Sequence, residues 1–165
     1  MPSTQEYNSP ALDFVMRLEV EIGSVIEIGP TRNGQRRIIP ITGGRFNGPQ
    51  LSGRVLAGGG DWQTIRADGV TDLRATYAIE TDAGARIEID NRGYRHGPDA
   101  VLERIAAGEG GAPDSYYFQT APVFITAEPA LDWLNRTVFV GSAQRFAAGV
   151  VVDVFAVRPR GFRIE

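Results

Sequence analysis

The sequence predicts an all-β protein: a single antiparallel β-barrel of about nine or ten strands with one short α-helix near residues 98–108. Three observations carry this expectation. Apolar and polar residues alternate with a period of two in several separate stretches. Glycine and proline clusters interrupt the chain between them at short intervals. Only one stretch shows apolar residues at helical spacing. Closure into a barrel removes the exposed edges that so many strands would otherwise leave.

The elements follow in order. Residues 14–22, FVMRLEVEI, place Phe14, Met16, Leu18, Val20 and Ile22 on one face and Arg17, Glu19 and Glu21 on the other. Short β-rich runs lie at 36–41 and 51–56, the second inside a glycine-rich stretch, GGRFNGPQLSGRVLAGGGDW. Its glycines suit tight bends and bulges where barrel strands curve. It lacks the spacing of a phosphate-binding loop. LRATYAIE, 73–80, puts Leu73, Ala75, Tyr77 and Ile79 on one face, TDAG forms a turn, and ARIEID returns as the second strand of a hairpin. PDAVLERIAAGE, 98–109, is the helix: Pro98 suits its first turn, Gly108 its stop, and Val101, Leu102 and Ile105 its apolar face. Further strands are expected near 116–119, 122–126, 137–141 and 149–157. The whole chain, 1–165, reads as one domain, with 1–11 and 158–165 as loose ends.

Composition narrows the function. The net charge is −3 and the sequence pI about 5.3, which argues against a nucleic-acid partner. All 17 basic residues are arginine. Lysine Schiff-base chemistry and a phosphate-loop lysine are therefore absent. There is no cysteine, so disulfides, thiolate metal sites and a cysteine nucleophile are excluded. One histidine rules out a multi-histidine metal site, and no metal or cofactor is expected. No serine sits in a GxSxG elbow. The chain shows no leader pattern and no apolar run of membrane-spanning length. The expectation is a soluble, cytoplasmic protein with a small-molecule ligand or substrate, no membrane partner, and a homodimer or higher homo-oligomer as its assembly.

Several side chains are candidates for chemistry. Asp61 beside Trp62 reads either as a general base whose pKa an aromatic wall raises, or as a carboxylate capping its own turn. His96 reads either as an acid–base group or as a loop residue. Arg45, Arg54 and Arg66 would clamp a substrate carboxylate if they point inward, and would be solvated if they point outward. Tyr77 lies on an apolar strand face and needs a hydroxyl partner if buried. Tyr117 belongs to an aromatic run with alternating faces. Trp133 and Asn135 share a face if their segment is extended, with Trp133 as pocket roof or barrel plug and Asn135 orienting a carbonyl. The catalytic candidates are thus Asp61, Tyr77 and His96. The substrate-binding candidates are Arg45, Arg54, Trp62, Arg66, Tyr117, Trp133 and Asn135.

The stretches ITGGRFNGPQLSGRVLAGGGDW, RADGVTDLRATYAIETDAGARIEIDNRG, YYFQTAPVF and DWLNRTVFVG lie between residues 41 and 141, within a likeness that extends over 12–157. Through them the chain resembles domain-of-unknown-function family 3237, also called uncharacterised protein family 0311. The resemblance implies a compact calycin-like barrel with a pocket inside and no defined reaction. The chain departs from the family pattern at Ile125, where an acid is usual, and at Leu131, where an aromatic residue is usual. Two functions fit: a cofactor-free lyase, isomerase or cyclase using a carboxylate with Arg, Tyr and Asn support, or a carrier without chemistry.

Overall fold

A computed structural model describes residues 7–165. Residues 1–6, part of the expected loose end 1–11, lie outside the described residues. The strands are β1 (Ala11–Ile22), β2 (Ile26–Thr31), β3 (Gly34–Asn47), β4 (Ser52–Val55), β5 (Gly60–Ile65), β6 (Thr71–Thr81), β7 (Arg86–His96), β8 (Tyr117–Thr126), β9 (Val138–Arg145) and β10 (Gly149–Arg158). Helix α1 (Asp99–Ala106) lies between β7 and β8, and a 3-10 helix (Pro129–Arg136) between β8 and β9. The order round the sheet is β1–β10–β9–β8–β7–β6, then β4 and β5 in turn, then β3, which closes onto β1. The result is a closed eight-strand antiparallel barrel. Ten strands fill eight positions because β4 and β5 share one and β2 pairs only with β3.

The predicted hairpin is β6–β7. Leu73 pairs with Gly93, Tyr77 with Ile89 and Ile79 with Ile87. Gly84 closes the turn at φ 91°, a conformation glycine adopts without steric cost. The predicted strands near 116–119 and 122–126 are one continuous β8. In β1 the expected face shifts. A bulge between Phe14 and Met16 turns Phe14 outward, where it meets Phe155 edge-on at 5.8 Å, while Met16 and Leu18 are fully buried.

Helix α1 carries Asp99 in its first turn and Arg104 in its last, matching the helix dipole. The N–H of Gly108 donates to the Ile105 carbonyl as the chain turns away. Ile105 enters the core, with Val101 and Leu102 packed at its edge. The 3-10 helix buries Leu134 in that core, which also holds the crossed Phe124 and Phe139 rings, 4.8 Å apart. In the C-terminal tail, expected to be loose, Ile164 packs against the core and the Glu165 carbonyl accepts from Arg136. Among the described residues no helix is long and apolar enough to cross a membrane.

The glycine-rich stretch forms the corner between β4 and β5. Val55 pairs with Ile79 and Gly60 with Thr76. Five residues therefore span a distance that β6 covers in three, and the chain must fold outward and back. Gly58 does so at φ 107°. Gly59 lies flat against β6: a Cβ there would overlap the Cβ of Tyr77 and sit 2.5 Å from the Thr76 carbonyl oxygen. Gly59→Ala is accordingly expected to destabilise the fold by about 1–3 kcal/mol, as overpacking does, seen as a lowered midpoint in denaturant titration.

Candidate functional site

Successive strand residues face opposite sides of a sheet, so closure sends every second side chain into the barrel. Most of these are aliphatic, but a polar group interrupts them. Asp61 and Gln63 from β5, Tyr77 from β6, Asn91 and Arg95 from β7, Thr120 from β8 and Arg145 from β9 line one internal cavity. Its remaining walls include Val20, Ile22, Ile39, Leu73, Val150 and Val152. The free volume is about 40 Å³, room for a water or so.

Asp61 is held on one side only. Gln63, 1% exposed, donates from Nε2 to Asp61 Oδ2 at 2.6 Å. Arg37 Nε in turn donates to Gln63 Oε1 at 2.9 Å. This leaves Asp61 Oδ1 buried without a hydrogen-bond partner, as are Asn91 Oδ1 and Thr120 Oγ1. All three orphan atoms belong to residues lining the same cavity. Burial pushes the Asp61 carboxyl above its ordinary range; the Gln63 hydrogen bond, the charges of Arg95 and Arg37 and the backbone N–H of Arg74 only partly offset this. Burial, helped by the charge of Asp61, likewise raises the Tyr77 hydroxyl.

Arg95 is 8% exposed and lies over the face of Phe118, 5.3 Å from the ring centroid. Burial and the neighbouring charges of Arg37 and Arg145 pull its guanidinium down to about 10, against the pull of Asp61. Arg145, half-buried, is lowered by the same causes, burial first. Its Nη1 donates to the Gly149 carbonyl at 3.1 Å, and its backbone N–H donates to the Tyr116 hydroxyl at 2.9 Å. Among the described residues, no three or more metal-ligating side chains come together.

The candidates divide sharply. Asp61 and Tyr77 reach the cavity. Asp61 lies within a strand opposite Ile39 and Ala75, not in a turn, and the expected cap of turn N–H groups is not there. Trp62 cannot share its face, because adjacent strand residues point oppositely, and it lies outside at 37% exposure. The inward reading of three arginines is corrected: each points to solvent and pairs there, Arg45 with Glu19, Arg54 with Glu80 and Arg66 with Asp68. His96 is exposed and stacks on Tyr117 at 4.7 Å, both on the outer face. Trp133 packs beside Phe139, at 6.1 Å. Asn135 stands in for a strand at the end of β8: its Oδ1 accepts from the Thr126 N–H and its Nδ2 donates to the Thr126 carbonyl, both at 2.9 Å. The extended reading of 133–135 is thus replaced by 3-10 helix. Ile125 is exposed on the outer face, so that departure leaves the interior untouched. Leu131 packs at the edge of the core.

Five cavity residues fell outside the candidates: Gln63, Asn91, Arg95, Thr120 and Arg145. A signal existed for each. Asn91 and Arg95 continue the parity of Ile87 and Ile89, and Thr120 that of Phe118 and Phe124. Gln63 follows Asp61, and Arg145 follows Phe139 and Ala143. Polar residues in phase with an apolar face mark an interior polar site.

The raised pKa of Asp61 has a stability consequence. The folded chain holds that proton more tightly than the unfolded chain, whose Asp pKa is about 3.9. The stability from this group is full below the unfolded value and is lost as pH rises through the folded one. Asp61→Asn removes the cost of burying a charge. Its melting temperature relative to the parent is expected to rise between about pH 4 and pH 8, with the largest gain at the alkaline end, as calorimetry across that range would read.

The comparisons agree with this architecture. The UPF0311 protein RPA1785 of Rhodopseudomonas palustris is 43% identical over 151 residues, 90% of this chain and 99% of its own length. The crystal structure of that conserved protein of unknown function superposes with a TM-score of 0.87, at 42% identity over 90% of this chain and 98% of that one. A β-barrel-like protein from Acinetobacter baumannii gives 0.81, at 39% identity over 94% and 100%. An enzyme from Penicillium herquei gives 0.71 over 94% and 100%, but at 20% identity that likeness shows the fold alone. The profile of the protein-of-unknown-function family DUF3237 matches residues 10–157, and the chain belongs to that family.

Proposed function

We propose that the barrel binds a small molecule in its interior and moves a proton on it with Asp61, acting through side chains alone as a lyase, isomerase or cyclase. One observation carries this reading: Asp61 presents a buried, unpartnered Oδ1 to the cavity while Gln63 fixes its Oδ2. A carboxylate freed of water on one oxygen is a stronger base than a solvated one, and the Arg37–Gln63 chain sets its direction. Oδ1 takes a proton from a substrate C–H or O–H and returns it elsewhere on the same molecule or its product. Tyr77, kept neutral by burial, and Arg95 supply donors for the negative charge that develops. The free space holds little more than water, so a ligand must widen the interior, and Arg145, only partly buried, stands at the cavity wall. The likeness to a barrel described as an enzyme is an argument by fold analogy only.

The aliphatic walls, Val20, Ile22, Ile39 and Val150 among them, favour a second reading, a carrier without chemistry. Proton NMR of small acids with labile C–H bonds, incubated with the protein in D₂O, separates the two. The expected result is enzyme-dependent exchange, slowed about 10²–10⁴-fold by Asp61→Asn and unchanged by His96→Gln. Saturable binding with no Asp61-dependent exchange would leave the carrier.

A further inference from the structure

We propose that the interior site takes a small hydroxy acid, its carboxylate held by Arg37, Arg95 and Arg145 and its hydroxyl set against Asp61 and Asn91. This rests on reading the cavity as the ligand site and adds the class of ligand. The first argument is the distribution of charge. Nine arginines form carboxylate ion pairs on the barrel's exterior: Arg17, Arg45, Arg54, Arg66, Arg74, Arg86, Arg92, Arg136 and Arg158. Arg95 and Arg145 line the cavity and Arg37 lies beside them; none of the three has such a pair among the described residues. Arg37 donates to a neutral amide and Arg145 to a carbonyl. Arg95, the most buried, meets only the face of Phe118. Against these three positive charges the cavity offers one carboxyl, Asp61, whose Oδ2 accepts from Gln63 and whose Oδ1 has no hydrogen-bond partner. A buried guanidinium without a counter-charge is costly, and a planar carboxylate is the partner its fork fits best.

The second argument is the set of orphan atoms. Asp61 Oδ1 and Asn91 Oδ1 are acceptors, and Thr120 Oγ1 accepts or donates. A bare carboxylate brings only acceptors and would leave the first two unmet. A neutral alcohol would donate to one of them and leave the arginines unpaired. A molecule with both groups answers both needs. A phosphate dianion would also pair the arginines, but it brings only acceptors and leaves Asp61 Oδ1 and Asn91 Oδ1 unmet.

Binding is tested with lactate and 4-hydroxybenzoate, each against its amide, its deoxy acid (propionate, benzoate) and methyl phosphate, at concentrations up to about 10 mM. Methyl NMR of the interior Val, Ile and Leu residues locates the ligand. At least one hydroxy acid is expected to shift those methyls and to bind at least about tenfold more tightly than its amide and its deoxy acid. Arg95→Met is expected to bring the acid down to the level of the amide, and Arg74→Met to change nothing. Should Arg95→Met fail to fold, Arg145→Met and Arg37→Met, at more exposed positions, are expected to weaken the acid selectively. Acid and amide binding equally, or methyl phosphate binding best, would overturn the hydroxy-acid assignment and leave the interior site standing. No interior shift with any acid would also overturn it; Asp61-dependent exchange of a neutral compound would then show that the site itself survives.

Discussion

The pairing of β3 with β1 is the contact on which the rest depends. Without it the sheet is open and its inner face is a wet surface. With it, Leu18 opposite Phe46 and Val20 opposite Gly44 seal a ring, and every second side chain is committed to a narrow interior. That commitment is indifferent to chemistry. It buries Ile87 and Ile89 from β7, and two and six residues beyond Ile89 it brings in Asn91 and Arg95 by the same alternation. Once inside, these groups lose water and must find partners among themselves or in a ligand.

The interior meets that demand unevenly. Gln63 uses both ends of its amide, one toward Arg37 and one toward Asp61. Tyr116 accepts from the Arg145 backbone. Three oxygens stay unpartnered and three guanidiniums lack a carboxylate pair, all around one small space. Outside, nine arginines pair with carboxylates, as in the forked contact of Arg17 with Asp153. Exposed pairs of this kind contribute little to stability. Exposed arginines without a pair among the described residues, such as Arg32 and Arg104, keep their water; the buried guanidinium of Arg95 does not, so its lack of a carboxylate needs its own explanation.

Much of the fold could be read from the sequence because the barrel obeys a period of two. The β6–β7 hairpin, helix α1 and the inward face of Tyr77 all follow from local patterning. What failed, failed where non-local structure overrides the pattern. The bulge after Phe14 exists because β1 must keep register with β10. The 3-10 segment exists because Asn135 can satisfy the backbone of Thr126, a contact no spacing announces. The site was half legible. Asp61 and Tyr77 stood out as a carboxylate after glycines and a hydroxyl on an apolar face. Arg45, Arg54 and Arg66 lie near Asp61 in sequence but on the opposite face of the wall, paired with carboxylates in solvent. The arginines whose charges reach Asp61 come instead from β3 and β7, which the chain assembles only on closure.

The glycines before Asp61 then have a mechanical reason. β3 pairs with β5 as far as Pro40 and with β4 from Arg45 onward, so both partners must bend at the same level. The extra residues at Leu56–Gly59 set the phase in which β5 starts. A corner one residue shorter or longer would exchange the faces of Asp61 and Trp62, moving the indole into the cavity and the carboxylate into water. Gly59 can occupy that corner because it presses on Tyr77 with no side chain between them. The same close approach seats Tyr77 beside the strand that carries Asp61. Corner and acid are therefore one feature: the backbone geometry that turns the barrel wall also decides which of two adjacent residues is placed inside it.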